Sequence, residues 1–302
     1  MKLTVTGSSG FAGTNLISYL KKFEIYKLSI RYQPQHNIDL MDAQAIIHLS
    51  GKAHDLKKVS QPSDYYEANF ELTKQLYDAF LKSDAKKFIF ISSVKAAADT
   101  LNGILTEDVQ PNPQLHYGKS KLMAEEYIQA QTLPEGKSFY ILRPCMIHGP
   151  GNKGNLNLLY QFVKKGIPYP LATFENQRSF LSVENLCFVI KELLENEIPS
   201  GVYQVADDES LSTNDLVKEI ALSLGLKPKL LNVPARFIQL VAKLGDKLKL
   251  SLNTERLNKL TENYIVSNKK IKTALGKELP IKAREGLQKT ILSFKSESTV
   301  LP

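Results

Sequence analysis

Short apolar runs alternate with amphipathic segments along the first half of the chain. The runs are rich in β-branched, aromatic and leucine side chains, which is typical of buried parallel strands. The segments between them carry apolar positions at helical spacing, at about residues 11–22, 64–83 and 117–131. This alternation predicts an α/β fold with a doubly wound parallel sheet and helices on both of its faces. The predicted strands are Lys2–Thr6, Tyr26–Arg31, Ala45–Leu49, Lys87–Ser92 and Ser138–Arg143.

The pattern becomes irregular after residue 150. We predict that residues 1–150 form the sheet domain. Residues 151–302 are predicted to form mainly a smaller, mostly helical lid that holds the substrate, with some segments returning to the core sheet. The basic amphipathic stretch Arg236–Leu250 is interpreted as an ordinary lid helix, with a membrane-surface contact as the alternative. Helical spacing in this half recurs at about 155–165, 184–195, 213–224, 234–245, 254–261 and 282–294.

A glycine-rich turn follows the first strand and opens the first helix. Gly7 permits a tight turn, Gly10 lets the backbone approach a pyrophosphate, and Gly13 lets the helix pack close to the sheet. The helix N-terminus then offers unpaired N–H groups and a positive dipole end to the phosphates. The spacing is one residue wider than the usual dinucleotide fingerprint. Its strand–turn–helix context nevertheless predicts a Rossmann-like dinucleotide site in residues 1–150. The turn reads Thr6-Gly7-Ser8-Ser9-Gly10-Phe11-Ala12-Gly13.

The end of the second strand bears on which dinucleotide binds. NAD-specific sites usually place an acidic residue there to hold the ribose 2′-hydroxyl. This strand ends in Ser29-Ile30-Arg31 instead. Arg31 could hold a 2′-phosphate, so we expect NAD(P)(H) with a preference for NADP(H). The alternative is that Arg31 is an ordinary surface arginine.

Candidate catalytic side chains lie near the ends of later strands, where parallel sheets bind ligands. Ser92-Ser93 closes the fourth strand, and Tyr117 and Lys121 are four residues apart on one face of the next helix. Oxidising a hydroxyl requires a group that moves its proton. A lysine cation would bring the pKa of a tyrosine down from about 10 toward working pH. A serine hydroxyl would donate to the developing alkoxide. The second Tyr-x-x-x-Lys, at Tyr160 and Lys164, falls in the lid and is interpreted as structural.

Composition narrows the class of protein. The net charge of +8 is interpreted as a solvated basic surface, with attraction for anionic diphosphates as the alternative. No apolar run reaches the roughly 18 residues of a membrane span, and the N-terminus lacks the apolar stretch of a signal peptide. Cys145 and Cys187 are too few for a disulfide framework. We therefore expect a cytoplasmic protein with no nucleic-acid partner, no metal and no membrane span.

Taken together, these residues resemble the extended short-chain dehydrogenase/reductase family, in its branch of NAD-dependent nucleotide-sugar epimerases, dehydratases and ketoreductases. The resemblance covers most of the chain. It implies an NAD(P)-dependent enzyme that acts on a nucleotide sugar, which we take to be UDP-linked, and it leaves a homodimer open. The further motifs that carry it are His48-Leu49-Ser50-Gly51, Asn69, Arg143-Pro144, Gly149-Pro150-Gly151 and Arg178-Ser179-Phe180-Leu181-Ser182-Val183.

The resemblance also implies roles for individual residues. Ser93, Tyr117 and Lys121 would be catalytic, with Ser93 and Tyr117 on the sugar oxygen and Lys121 also on the nicotinamide ribose. Arg178 would pair with the diphosphate, which suits guanidinium geometry. The implied cofactor-binding residues are Gly7, Ser9, Gly10, Phe11, Ala12, Gly13, Arg31, Leu49, Ser50, Asn69, Tyr117, Lys121 and Cys145. The implied substrate-binding residues are Ser93, Met146, Asn155, Arg178 and Arg256.

Departures from the family's patterns narrow the reaction. Sugar 4,6-dehydratases carry an Asp-Glu pair where this chain has Val94-Lys95, so dehydration is not expected. Many family epimerases carry Phe-Asn where Cys145-Met146 stands, and Asn232-Val233-Pro234 is similar to bacterial 4-ketoreductases. These features favour reduction of a UDP-4-keto sugar of the 2-acetamido-2,6-dideoxyhexulose type, for surface polysaccharide. A UDP-sugar 4-epimerase with tightly bound NAD is the first alternative, and a non-catalytic dinucleotide-binding regulator is the second.

Overall fold

The central sheet has six strands, and every neighbouring pair in it is parallel. The computed structural model describes residues 1–53, 61–152, 154–248 and 253–297. Within these residues the strands are β1 (Lys2–Thr6), β2 (Glu24–Leu28), β3 (Ala45–His48), β4 (Lys87–Ile91), β5 (Ile104–Leu105), β6 (Ser138–Pro144), β7 (Met146–His148), β8 (Arg178–Ser182), β9 (Gly201–Val205), β10 (Ser210–Leu211) and β11 (Ile265–Val266). The central sheet has the spatial order β2-β1-β3-β4-β6-β9.

Helices cover both faces of this sheet. In the described ranges they are α1 (Phe11–Tyr19), α2 (Pro62–Tyr66), α3 (Leu72–Lys82), α4 (His116–Ala130), α5 (Asn155–Lys164), α6 (Val183–Glu195), α7 (Thr213–Ser223), α8 (Ala235–Leu248), α9 (Thr254–Thr261), α10 (Lys269–Leu275) and α11 (Ala283–Glu297). One face packs on α1 and α6 and the other on α3 and α4. This confirms the predicted doubly wound α/β fold. Among the described residues, no helix is both long enough and apolar enough to cross a bilayer.

The strand β4 shows why the middle of the sheet is buried. All five of its residues are buried. Ile89 and Ile91 belong to the core under α1 and α6, whereas Phe88 and Phe90 belong to the core under α3 and α4. Successive side chains of a strand point to opposite faces. The run Phe88–Ile91, which is apolar at every position, therefore fits only a strand covered on both sides.

The second strand and the helix predicted over residues 64–83 differ from the sequence prediction. β2 spans Glu24–Leu28 instead of Tyr26–Arg31, because its parallel pairing with β1 ends at Leu28. The helix predicted over residues 64–83 is interrupted, since α2 is followed by a π-helical turn at Glu67–Glu71 before α3 begins. Apolar periodicity does not distinguish a π turn from the α-helix around it.

A separate apolar core lies in the lid, the name we keep for the part of the chain after residue 150 that lies outside the central sheet and its covering helices. It is built by α5, α7, α8, α9 and α11. Tyr160 is fully buried there, with its ring centroid 5.4 Å from that of Phe294. The small sheet β10-β8-β7 also contributes Phe180 and Leu211 to this core. Although α6 and β9 follow residue 150, they belong to the central sheet and its cover.

Candidate active site

The order of the strands creates a crevice at the carboxyl end of β1. Because β2 and β3 lie on opposite sides of β1, the connections on the two sides diverge at this point. Ligands of open α/β sheets bind in such a crevice. The loops that follow β1, β3 and β4 all reach this edge, and they carry most of the residues singled out in the sequence.

The glycine turn after β1 packs closely on neighbouring backbone, which is possible only because Gly7 and Gly13 lack Cβ atoms. Gly7 has a φ of +68°, and a Cβ on it would lie 2.7 Å from the backbone nitrogen of Ser50. A Cβ on Gly13 would lie 2.2 Å from the carbonyl oxygen of Gly7. The N-cap of α1 is Gly10, which makes no side-chain capping hydrogen bond. This cradle therefore fits the pyrophosphate of a dinucleotide. Ser9 lies on the same turn, and Phe11 and Ala12 are the first two residues of α1.

The second wall of the crevice is the segment after β3. The backbone N–H of Leu49 donates to the carbonyl oxygen of Thr6 over 3.3 Å. The N–H of Ser50 donates to the hydroxyl oxygen of Thr6 over 3.2 Å. Below them, the His48 ring nitrogens lie 2.7 Å from the hydroxyl oxygen of Thr6 and 2.9 Å from that of Thr73. Burial, together with the charge of Lys121, lowers the pKa of His48 to about 3. This histidine is therefore neutral and supports the two walls.

Asn69 connects this wall to α4, the helix that carries Tyr117 and Lys121. It is fully buried in the π-helical turn, where its side-chain oxygen accepts from the N–H of Lys52 over 2.8 Å. Its amide nitrogen donates to the hydroxyl of Ser120 over 3.0 Å. A Cβ on Gly51 would lie 2.7 Å from Asn69 Oδ1 and 3.0 Å from Lys121 Nζ. Gly51 and Ser120 are thus parts of the site to which the sequence analysis gave no role.

Ser93 and Tyr117 meet at the end of β4. Their side chains form a hydrogen bond, and the Ser93 hydroxyl also accepts from the backbone N–H of Lys95 over 3.2 Å. Burial raises the pKa of Tyr117, and the hydrogen bond from Ser93 partly opposes this shift. In the protein alone the pKa of Tyr117 is therefore raised and not lowered, contrary to the expectation from Lys121, because the loss of hydration outweighs the hydrogen bond from Ser93.

Lys121 lies one helical turn after Tyr117 and is buried. Its ammonium donates to the carbonyl oxygen of Ile91 over 2.9 Å and lies 4.7 Å from the ring centroid of Phe90. Burial lowers its pKa to about 8, and the carboxylate of Glu125 opposes that shift. The amine is thus held at the strand end and can gain or lose its proton near neutral pH.

A buried charge network supports the strand end. The Ser92 hydroxyl donates to the carboxylate of Glu125, which also receives the guanidinium of Arg143 at 2.5–3.1 Å. Glu125 is fully buried and Arg143 is 3% exposed. The sequence analysis did not single out Glu125. A usable signal was its position four residues after Lys121, on the buried side of the same helix.

Cys145 and Met146 lie where β6 passes into β7. The N–H of Cys145 donates to the carbonyl oxygen of Val205 over 3.1 Å, and burial raises the pKa of its thiol well above the usual value. Cys145 is therefore a neutral wall residue and not a nucleophile. Met146 pairs with Phe180 at the start of β7 and packs partly buried against the lid core.

The residues proposed for the diphosphate lie in the lid. Arg178 begins β8, where it donates to the carbonyl oxygen of Lys259 over 2.9 Å and lies 3.7 Å from the carboxylate of Glu262. Arg256 is exposed on α9, the helix that contains Lys259. Asn155 is exposed at the first position of α5. Arg178 thus contacts α9. Among the residues that the structure describes, no such contact joins Asn155 to Arg178 or to α9.

Arg31 lies outside the pairing of β1 with β2, which ends at Leu28. It is exposed, three residues beyond the end of β2 at Leu28. The position leaves its guanidinium accessible to a phosphate but does not fix its direction. Cofactor choice therefore stays a prediction.

The comparisons with known proteins agree with this geometry. Residues 3–206 match the NAD dependent epimerase/dehydratase family. The chain is 30% identical to the UDP-glucose 4-epimerase of Vibrio cholerae, over 97% of this chain and 95% of that protein. It is 32% identical to the N-acetyl-alpha-D-glucosaminyl-diphospho-ditrans,octacis-undecaprenol 4-epimerase of Escherichia coli O157:H7, over 76% and 74%. It is 25% identical to the GDP-6-deoxy-D-mannose reductase of Pseudomonas aeruginosa, over 78% and 84%.

Solved structures share the fold at low identity. RMD from Pseudomonas aeruginosa, complexed with NADPH, has a TM-score of 0.75 at 21% identity and covers 98% of this chain and 99% of its own. MoeE5, in complex with UDP-glucuronic acid and NAD, has a TM-score of 0.77 at 19% identity and covers 98% and 100%. At these identities the likeness establishes the fold alone.

Proposed function

The chain belongs to the NAD-dependent epimerase/dehydratase family, and from this premise we propose that it inverts carbon 4 of a UDP-linked sugar with NAD(P) as cofactor. The observation that carries the proposal is the hydrogen bond between Ser93 and Tyr117, with Lys121 buried one turn away. The two relatives above at 30% identity or more are both named as 4-epimerases. These relatives are enzymes, so a non-catalytic regulator is not proposed.

The chain's own side chains divide the work at the sugar oxygen. Tyr117 takes the proton of the 4-hydroxyl as the carbon is oxidised and returns it when the ketone is reduced. Ser93 donates to the same oxygen while it carries developing negative charge. When bound, the dinucleotide supplies the two-electron oxidation and reduction of carbon 4. The Lys121 cation favours the ionised tyrosine once the cofactor ribose and the sugar fill the crevice.

Arg178 would anchor the far end of the substrate. In the protein alone its guanidinium contacts the carbonyl oxygen of Lys259 and the carboxylate of Glu262. A diphosphate offers more charge and suits the planar guanidinium better than a single carbonyl. We propose that it competes with these contacts and draws Arg178 toward the crevice. The sugar would then be held between Arg178 and the Ser93–Tyr117 pair.

The test follows from the redox balance of the two reactions. An epimerase oxidises and re-reduces the same carbon, so it needs no added cofactor once loaded. Purified protein would be incubated with UDP-N-acetylglucosamine or UDP-glucose, and the products followed by NMR of the sugar ring. Appearance of the galacto epimer without net change in nicotinamide absorbance supports the proposal. No epimer with either sugar, from protein shown to hold its cofactor, contradicts it.

A 4-ketoreductase is the second candidate. It is favoured by the lack of an acidic residue at the end of β2 and by Cys145-Met146 at the passage from β6 to β7. One relative, at 25% identity, is named as a GDP-6-deoxy-D-mannose reductase. This reaction would consume one NAD(P)H for each UDP-4-keto sugar reduced. Stoichiometric oxidation of NADPH by such a substrate, with no epimerisation of UDP-sugars, would select the reductase.

The relatives are named for two different carriers of the sugar, a nucleoside diphosphate and a polyprenol diphosphate. One relative is named for a UDP-sugar and another for a sugar diphosphate on undecaprenol. The catalytic end of the site would be the same for both, because the reacting carbon is on the sugar. Offering the same sugar on UDP and on a diphospho-polyprenol in detergent, and comparing kcat/KM, distinguishes the two.

A further inference from the structure

The lid helix α8 has two apolar faces, and the fold uses only one of them. Ile238, Ala242 and Gly245 are buried toward the lid core. Phe237, Leu240, Leu244 and Leu248 are spaced three, four and four residues apart, so they line up on another side of the helix. They are 59%, 56%, 48% and 67% exposed. We call these four residues the α8 stripe.

Positive charge borders the α8 stripe. Arg236, Lys243 and Lys247 are exposed and, at spacings of seven and four, form a row beside it. The single acidic residue of the helix, Asp246, accepts from the N–H of Thr254 over 3.0 Å and from its hydroxyl over 2.5 Å. The acidic charge is thus engaged with the neighbouring helix α9, while the three cations face solvent.

An apolar stripe beside a basic row is the arrangement of a helix that lies in the plane of a membrane interface. A second copy of the chain is a poorer occupant. A stable protein interface buries about 800 Å² per partner and involves roughly 20–30 residues a side. The stripe offers four large side chains on one helix, and the cations beside it would repel their own copies.

We propose that α8 docks on the surface of a bilayer that contains anionic phospholipid. The α8 stripe enters the boundary between headgroups and acyl chains, and Arg236, Lys243 and Lys247 lie against the lipid phosphates. This docking places α9, which packs on α8, beside the membrane. The carbonyl oxygen of Lys259, which accepts a hydrogen bond from Arg178, belongs to α9. The end of the candidate site that binds the diphosphate would therefore face the membrane. The proposal goes beyond the reaction and does not depend on it.

The test is co-sedimentation of the full chain with vesicles. Vesicles of phosphatidylglycerol and phosphatidylcholine in equal parts are expected to bind the protein, and vesicles of phosphatidylcholine alone to bind it much less. Leu240→Glu with Leu244→Glu should weaken binding at least tenfold. Lys243→Ala with Lys247→Ala should weaken it about fivefold for each lysine at low salt. The matched control is Leu222→Glu with Leu292→Glu, two leucines that are 64% and 56% exposed on α7 and α11.

Three results would overturn the proposal. The first is failure of the wild-type protein to bind the anionic vesicles. The second is equal loss of binding in the control variant, since the stripe would then have no special part. The third is a dimer in light scattering that the stripe variant dissociates, since the α8 stripe would then be a contact between two copies of the chain. Circular dichroism of each variant checks that it is folded. Because the readout is binding, failure of the proposed reaction would leave this result unaffected.

Discussion

The carboxylate of Glu125 holds the guanidinium of Arg143 in a buried ion pair, with Arg143 Nε 3.0 Å and Nη2 2.5 Å from Glu125 Oε2. Glu125 is on α4, one turn after Lys121, and Arg143 is on β6. The same carboxylate accepts from Ser92, the neighbour of Ser93. The pair therefore fixes α4, which carries Tyr117 and Lys121, against the strand end that carries Ser93.

Removing the charge of Glu125 should destabilise the protein strongly. Glu125→Gln leaves a buried guanidinium without its counter-charge, which costs about 3–5 kcal/mol when one partner of such a pair is lost. Urea denaturation of the wild type and the variant measures this difference. The matched control is Glu126→Gln, the exposed neighbour on the same helix, which should change the free energy of unfolding by less than about 0.5 kcal/mol. Similar stability of the Glu125 variant and the wild type would show that the pair is not a structural support.

Tyr117→Phe should retain cofactor binding and lose turnover by roughly 10²–10⁴, the range for a positioned proton-transfer group. The hydroxyl that bonds Ser93 is removed while the ring stays in place. Initial rates with saturating substrate measure the loss, and cofactor titration measures binding. Tyr160→Phe, at the other Tyr-x-x-x-Lys, should keep turnover within a few-fold because Tyr160 lies in the lid core. A comparable loss in both variants would remove the special role of Tyr117.

The pH dependence of stability should reveal the buried amine of Lys121. Its folded pKa of about 8 lies below the unfolded value of 10.5, so between these values the unfolded chain binds more protons. The contribution of Lys121 to the free energy of unfolding therefore rises with pH across this window, by up to about 3 kcal/mol. The difference between wild type and Lys121→Met, measured by denaturation from pH 8 to 10.5, should rise accordingly. Lys119→Met, at an exposed site on the same helix, is the matched control for the loss of a lysine. A flat profile for the Lys121 variant would mean that its pKa is not lowered.

Arg178→Ala should weaken UDP binding far more than NAD(P) binding. A charge-assisted hydrogen bond contributes about 1.5–3 kcal/mol, or roughly ten- to a hundredfold in affinity. Isothermal titration calorimetry with UDP and with each cofactor measures both effects. Arg236→Ala, at an exposed arginine on α8, is the control and should change neither. An unchanged Kd for UDP in the Arg178 variant would refute its assignment to the diphosphate.

NADPH should bind more tightly than NADH, and Arg31→Ala should narrow the gap. A 2′-phosphate carries close to two negative charges, and the end of β2 has no carboxylate to repel it. One charge-assisted contact accounts for roughly ten- to a hundredfold. Fluorescence titration of both cofactors checks this, with Lys27→Ala, an exposed cation on β2, as the control. Tighter NADH binding by the wild type would reject the preference for NADP and favour the epimerase with NAD.

For features that depend on residues close together in the chain, the sequence was sufficient to predict the structure. The run Phe88–Ile91 is apolar at every position, so its strand and its burial on both faces follow from a period of two. The tight turn before α1 was predictable from Gly7, Gly10 and Gly13. Backbone segments that pass this close to each other leave no room for Cβ atoms, so glycines at this spacing indicate such a turn. The shared face of Tyr117 and Lys121 follows for the same reason, since a spacing of four residues places two side chains on one side of any helix.

Only the tertiary structure decided which distant groups share a dry environment. β9 joins the sheet beside β6, and Glu125 meets Arg143, because chain segments far apart in sequence pack together. The direction of the Tyr117 pKa shift depends on that packing as well, since desolvation is set by every neighbour of the hydroxyl and not by the one cation that the spacing suggests. The exposure of the α8 stripe was likewise decided by tertiary packing. Its pattern of leucines is in the sequence, but the lid core determines which face is covered and which is left to solvent.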